Sequence, residues 1–98
     1  MTIKKNLVGT KLTAEISGRL DTATTPEAEA IIKDGLDKVT ELILDCKQVD
    51  YISSSGLRLL LSLQKQMNVQ GLMKIRNINE TVSEIFEVTG FSDILTVE

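Results

Sequence analysis

The sequence predicts an α/β fold: a single domain with a mixed sheet of four to five strands and helices packed against it. Three observations carry this expectation. Short apolar segments alternate with polar residues or run continuously, as strands do. Longer segments repeat their apolar residues at helical spacing. The two kinds follow one another as ββαβαβα, with a further short strand at the end. Strands alternating with helices imply a mixed sheet whose helices cover one face or both.

In chain order, residues 3–8 and 11–20 read as two strands joined at Gly9-Thr10, the second alternating imperfectly before Gly18. A helix follows Thr24-Thr25-Pro26-Glu27, where a Thr caps, Pro fits the first turn and Glu27 suits the positive end of the helix dipole. Ala28, Ile31, Ile32, Gly35, Leu36 and Val39 form its inner face. Leu42-Ile43-Leu44 is a continuous apolar run closed by Asp45, the pattern of a strand buried on both faces. Lys47 to Ser54 reads as a loop. A long helix is expected from about Ser55 to Val69, with Leu57, Leu59, Leu60, Leu61, Leu63 and Met67 inward and Arg58, Ser62, Lys65 and Gln66 outward. Gln64 falls on the apolar side and should reach its edge. Gly71 ends this helix, Met73 to Asn77 forms a fourth strand, and Thr81 to Thr89 forms a third helix stopped by Gly90. Leu95-Thr96-Val97 offers the closing strand.

Composition narrows the function. The chain has 98 residues, a formal charge of −3 and a hydrophobic fraction of 42%. With Phe86, Phe91 and Tyr51 as its aromatic residues, it must build an aliphatic core. No basic stripe or aromatic patch invites nucleic acid. No apolar run nears the roughly 18 residues of a membrane span. A sole cysteine, Cys46, forbids an internal disulfide, and a cytoplasmic setting is expected. Histidine is absent, which removes Ser-His-Asp and Cys-His catalysis and most zinc sites. No Gly-x-Ser-x-Gly elbow or phosphate-binding Gly-Lys-Ser/Thr loop occurs. No enzyme, cofactor or metal is expected, although Asp21, Asp45 and Asp50 are candidates for a magnesium cluster of the receiver type.

The informative segment is Ile52-Ser53-Ser54-Ser55-Gly56-Leu57, where hydroxyls gather at the start of a helix. Two readings stand. Serine is a favoured cap. A helix start also carries unpaired N–H groups and partial positive charge, so a phosphoryl group there is stabilised by roughly 0.3–1 kcal/mol and leaves the fold intact. Gly56 is expected to keep the spot uncrowded for a modifying kinase.

Leu42-Ile43-Leu44-Asp45 followed by Val49-Asp50-Tyr51-Ile52-Ser53-Ser54-Ser55-Gly56-Leu57-Arg58 resembles the central motif of STAS domains, the sulfate-transporter and anti-sigma-factor-antagonist family. Gly18-Arg19-Leu20-Asp21 resembles that family's Gly-x-Leu-Asp turn, which lies beside the same loop. The resemblance covers nearly the whole chain. It implies an anti-sigma-factor antagonist that binds an anti-sigma factor/serine kinase when unphosphorylated, is released by phosphorylation of Ser55, and is reset by a PP2C-type phosphatase. Ser54 is a competing acceptor. Asp21, Thr22, Ser53, Ser54, Ser55, Gly56, Leu57 and Arg58 are the expected partner-binding residues. The sequence departs from the family's Asp-Ser-Ser-Gly by Ser53 in place of Asp. A STAS protein that controls a phosphatase or another signalling protein is the alternative within the family.

Overall fold

We describe the protein through a computed structural model covering residues 1–98. Gly9, with φ of +62°, turns the opening hairpin at the expected place. β1 (Thr2–Val8) runs antiparallel to β2 (Lys11–Leu20), pairing Leu7 with Leu12 and Ile3 with Ile16. Parallel neighbours need a crossover, and two helices supply it. α1 (Thr25–Lys33) leads to β3 (Glu41–Ile52), and α2 (Ser54–Gln70) leads to β4 (Leu72–Arg76). The sheet order is β1-β2-β3-β4, with β2, β3 and β4 parallel. α3 (Glu80–Thr89) then returns over β3.

Side-chain alternation decides which face the helices cover. Leu12, Ala14 and Ile16 of β2, Leu42, Leu44 and Cys46 of β3, and Met73 and Ile75 of β4 share one cluster with Ala28 and Ile32 of α1, Leu60, Leu63 and Met67 of α2, and Val82 and Phe86 of α3. The helices therefore share one face. Ile43 is fully buried yet stands outside that cluster, on the opposite, largely polar face with Glu15 and Lys74.

Several expectations need correction. α1 ends at Lys33 rather than continuing to Val39, because Gly35 takes a left-handed φ of +78° and Leu36–Lys38 forms a separate 3-10 turn. Lys5 Nζ closes the end of α1 by donating to the Ile31 and Asp34 carbonyls at 2.7 and 2.9 Å. The segment expected as a loop from Lys47 to Ser54 is mostly strand, since β3 continues to Ile52. Its pairing with β2 slips between Glu15 and Ser17 and again between Gly18 and Arg19, each time giving β3 one extra residue. Bulges of this kind break the two-residue rhythm: Cys46, Val49 and Ile52 are all buried at intervals of three. The closing strand reduces to a single bridge between Val97 and Ile75. Gln64 does not reach an edge. It is only 6% exposed, its Nε2 donates to Asn68 Oδ1 at 2.8 Å, and its Oε1 is buried without a protein partner.

Candidate functional site

The ends of β2 and β3 lie side by side, with Leu20 opposite Ile52, so the segments that follow them begin as neighbours. After β2 the chain turns at Asp21. Its Oδ1 accepts the amides of Ala23 and Thr24, both at 3.0 Å. The Thr24 hydroxyl donates to the Arg19 carbonyl at 2.7 Å and accepts the Asp21 amide at 3.0 Å. Thr24 is thus the residue before α1, as expected, but its hydroxyl ties the turn together and does not cap the helix. The Thr24 amide is the main cause that holds the Asp21 carboxyl below the usual carboxylate range, against some desolvation and with smaller help from the Thr24 hydroxyl, the Ala23 amide and Arg19.

After β3 the chain enters α2 through Ser53, whose amide donates to the Leu20 carbonyl at 2.9 Å. Ser53 is the N-cap. Its Oγ accepts the Gly56 amide at a long 3.5 Å. The capping reading of the serine cluster therefore belongs to Ser53, the position where the resembled motif carries Asp, another favoured cap. Ser54 and Ser55 form the first helical positions. Ser54 is exposed, and Ser55 is half-buried.

Gly56 is needed for a different reason from the one its neighbours suggest. A Cβ there would lie 2.7 Å from the Leu20 carbonyl oxygen and 2.8 Å from Ile52 Cγ2. The glycine lets α2 press against the ends of both strands. It faces inward and clears no path to the serines. Leu57, at 7% exposure, belongs to the core. These two residues support the site from beneath and present almost no surface to a partner.

The remaining expected residues converge. Ser55 Oγ lies 3.2 Å from Thr22 Oγ1, across from the Asp21 turn, and accepts a bond from Arg58 Nη2 at 3.1 Å. Together with Thr25, Pro26, Glu29 and Leu59 they line a shallow depression of about 360 Å³ between the starts of α1 and α2. Beside it, the Arg19 guanidinium stacks 4.7 Å over the Tyr51 ring, and its Nε lies 3.6 Å from Asp21 Oδ2. The sequence reading missed the α1 wall and the Arg19–Tyr51 pair. The wall depends on helix packing, and the pair on bulged strand register; neither is written in local periodicity.

The three aspartates do not form a metal cluster. Asp21 serves its turn. Asp45 Oδ1 accepts the Lys47 amide at 3.0 Å and the Asn77 side chain at 3.2 Å. Cys46 sits within β3, and burial, with the Asp45 carboxylate adding to it, pushes its thiol up to about 12. Such a thiol stays protonated and unreactive. No helix is long and apolar enough to cross a membrane.

The geometry defines a small single-domain α/β protein whose candidate site is a hydroxyl-rich helix start beside a tied turn. Residues 2–98 match the STAS domain model, and the chain belongs to the STAS domain family. It is 36% identical to BtrV of Bordetella bronchiseptica, assigned as an anti-sigma factor antagonist, over 88% of this chain and 76% of that protein. It is 27% identical to the anti-sigma-B factor antagonist of Staphylococcus aureus, over 85% of this chain and 79% of the relative. By homology the chain thus groups with anti-sigma factor antagonists. Its fold is that of SpoIIAA, an anti-sigma factor antagonist and Bacillus cell-fate determinant. The TM-score is 0.82 to the unphosphorylated form (20% identity, covering 99% of this chain and 88% of that one) and 0.75 to the phosphorylated form (19% identity, 99% and 91%).

Proposed function

We propose that the chain is an anti-sigma factor antagonist that acts by partner switching. Unphosphorylated, it binds an anti-sigma factor that is also a serine kinase. Phosphorylation of Ser55 ends the complex, and a PP2C-type phosphatase restores the binding form. Asp21, Thr22, Ser54, Ser55 and Arg58 provide the docking surface, with Ser53, Gly56 and Leu57 holding it in shape.

The observation that carries this reading is the placement of Ser55 Oγ, half-buried but open to the depression, within 3.2 Å of Thr22 and 3.1 Å of Arg58. Two segments 33 residues apart share one hydroxyl at the centre of one surface. Adding about −1.5 to −2 charges there changes the surface without touching the core. Inside a complementary interface the same charge meets desolvation and like charges, at a cost of several kcal/mol. Even about 3 kcal/mol weakens binding more than a hundredfold.

The test is calorimetric titration against the anti-sigma factor that co-purifies with the wild-type chain. Ser55→Ala should bind within a few-fold of wild type, and Ser55→Asp should lose on the order of a hundredfold. Equal affinities for the two variants would contradict the proposal.

A further inference from the structure

We propose that Arg58 is the receptor, within the chain itself, for the phosphoryl group on Ser55. On phosphorylation the guanidinium, already against Ser55, closes onto the phosphate, so one modification adds negative charge and neutralises a positive one. This inference rests on the reading of Ser55 as the acceptor.

Arg58 lies three residues after Ser55, on the same side of α2. Its Nη2 already donates to Ser55 Oγ at 3.1 Å. It is otherwise uncommitted: the ion pairs of the chain engage Lys11, Arg19, Lys33, Lys74 and Arg76, but not Arg58. The carboxylate that lines the depression and the one on the neighbouring turn are both occupied. Glu29 of α1 is held by Lys33 Nζ at 2.9 Å, and Asp21 by the Ala23 and Thr24 amides and by Arg19. The first turn of α2 contains no acidic residue. An exposed arginine with five N–H donors therefore rests against a neutral hydroxyl, although carboxylate and phosphate are the partners its planar fork matches best.

Phosphorylation would supply that partner in place. The Oγ–P bond forms as the bond between the terminal phosphorus of a nucleoside triphosphate and its bridging oxygen breaks. The diphosphate leaves, and the hydroxyl proton passes to the kinase's base. Three phosphate oxygens then surround the atom that Arg58 already touches, and the Thr22 hydroxyl, 3.2 Å from Oγ, can turn to donate as well. Two parallel N–H···O bonds to a dianion replace one bond to a hydroxyl. Release of the partner then has two components, repulsion by the phosphate and loss of the Arg58 charge. A carboxylate at position 55 is shorter and singly charged, so it engages Arg58 less fully than phosphoserine does.

The test uses the full chain with phosphoserine installed at Ser55 during translation, which needs no kinase. Phosphorus NMR follows the second phosphate ionisation, ordinarily near pH 6. A guanidinium partner favours the dianion and lowers the midpoint. We expect a midpoint lower by about 0.5 pH unit or more with Arg58 than with Arg58→Gln, and only partial recovery of that shift by Arg58→Lys, which restores the charge without the bidentate fork. A chain carrying phosphoserine at Ser92, outside the depression, should titrate identically with and without Arg58. Equal Ser55 midpoints in wild type and Arg58→Gln would overturn the proposal, as would an equal shift at Ser92. Because the phosphate is installed, these results stand whichever serine a kinase selects; mapping of the cellular phosphosite is what decides the Ser55 reading itself.

Discussion

The first turns of α2 and α3 have nearly the same backbone and opposite uses of their side chains. Their N-caps, Ser53 (φ −86°, ψ 178°) and Asn79 (φ −84°, ψ 176°), are interchangeable in conformation. Asn79 is fully committed. Its Oδ1 accepts the Val82 amide at 2.8 Å, and its Nδ2 donates to the Val49 carbonyl at 2.9 Å. Glu80 adds a negative charge at the positive end of the helix. Ser53 makes a cap bond of only 3.5 Å, no acid follows it, and Ser54 and Ser55 extend their hydroxyls toward solvent and the depression. A helix start that serves structure alone uses its polar groups on itself. α2 leaves its dipole uncompensated where a phosphoryl group is expected, and relies on close backbone packing for its position.

The largest expected effect follows from that packing. Gly56→Ala places a methyl 2.7 Å from a backbone carbonyl oxygen that cannot swing aside. It should destabilise the domain by about 2 kcal/mol or more in urea unfolding. Unchanged stability would mean that Gly56 does not position α2.

The caps come next. Asn79→Ala should cost about 1–2 kcal/mol, since it removes a short cap bond and the tie to Val49. Ser53→Ala should cost about 0.5 kcal/mol. Equal losses in the same unfolding assay would break the comparison between the two helix starts.

A smaller effect concerns pH. In the folded chain the Asp21 carboxyl lies below its ordinary range, chiefly because the Thr24 amide bonds the ionised form. The unfolded chain therefore takes up this proton first as pH falls. The stability contributed by ionised Asp21 is present above the ordinary carboxylate value, about 4, and is lost as pH drops through the lower folded value. Asp21→Asn keeps a side-chain oxygen for the turn and removes the charge. Its urea midpoint should fall slightly below wild type at neutral pH, and the gap should narrow steadily as pH drops below about 4. A gap independent of pH would assign the effect to shape alone.

Much of this was legible in the sequence, for identifiable reasons. The hairpin at Gly9-Thr10, the apolar arc of α2 and the stop at Gly90 are local signals, and each lies where expected except that Leu61 leaves the arc, half-buried beside Arg58, Ser62 and Lys65. β3 beyond Asp45 was hidden because its two bulges spoil alternation and its partners, Ser17 to Leu20, are distant in the chain. α1 was read too long because Leu36 and Val39 continue its apolar spacing while Gly35 ends it; both are buried from a turn outside the helix. At the site, the serine cluster and the Asp21 turn are written in short motifs. The division of labour among the serines is not, because three adjacent hydroxyls look alike until the amide of Gly56 selects Ser53 as cap. Gly56 reads in sequence as a residue that keeps the helix start accessible, whereas its contacts, Leu20 and Ile52, make it a packing residue.

One measurement addresses the switch directly. The chain is incubated with ATP and the kinase-type anti-sigma factor that co-purifies with it, while native mass spectrometry follows the complex and peptide mapping locates the phosphoryl group. A single phosphoryl group on Ser55, appearing in step with dissociation, is the predicted result. Phosphate on Ser54 instead, or a chain phosphorylated on Ser55 that remains bound, would contradict the account.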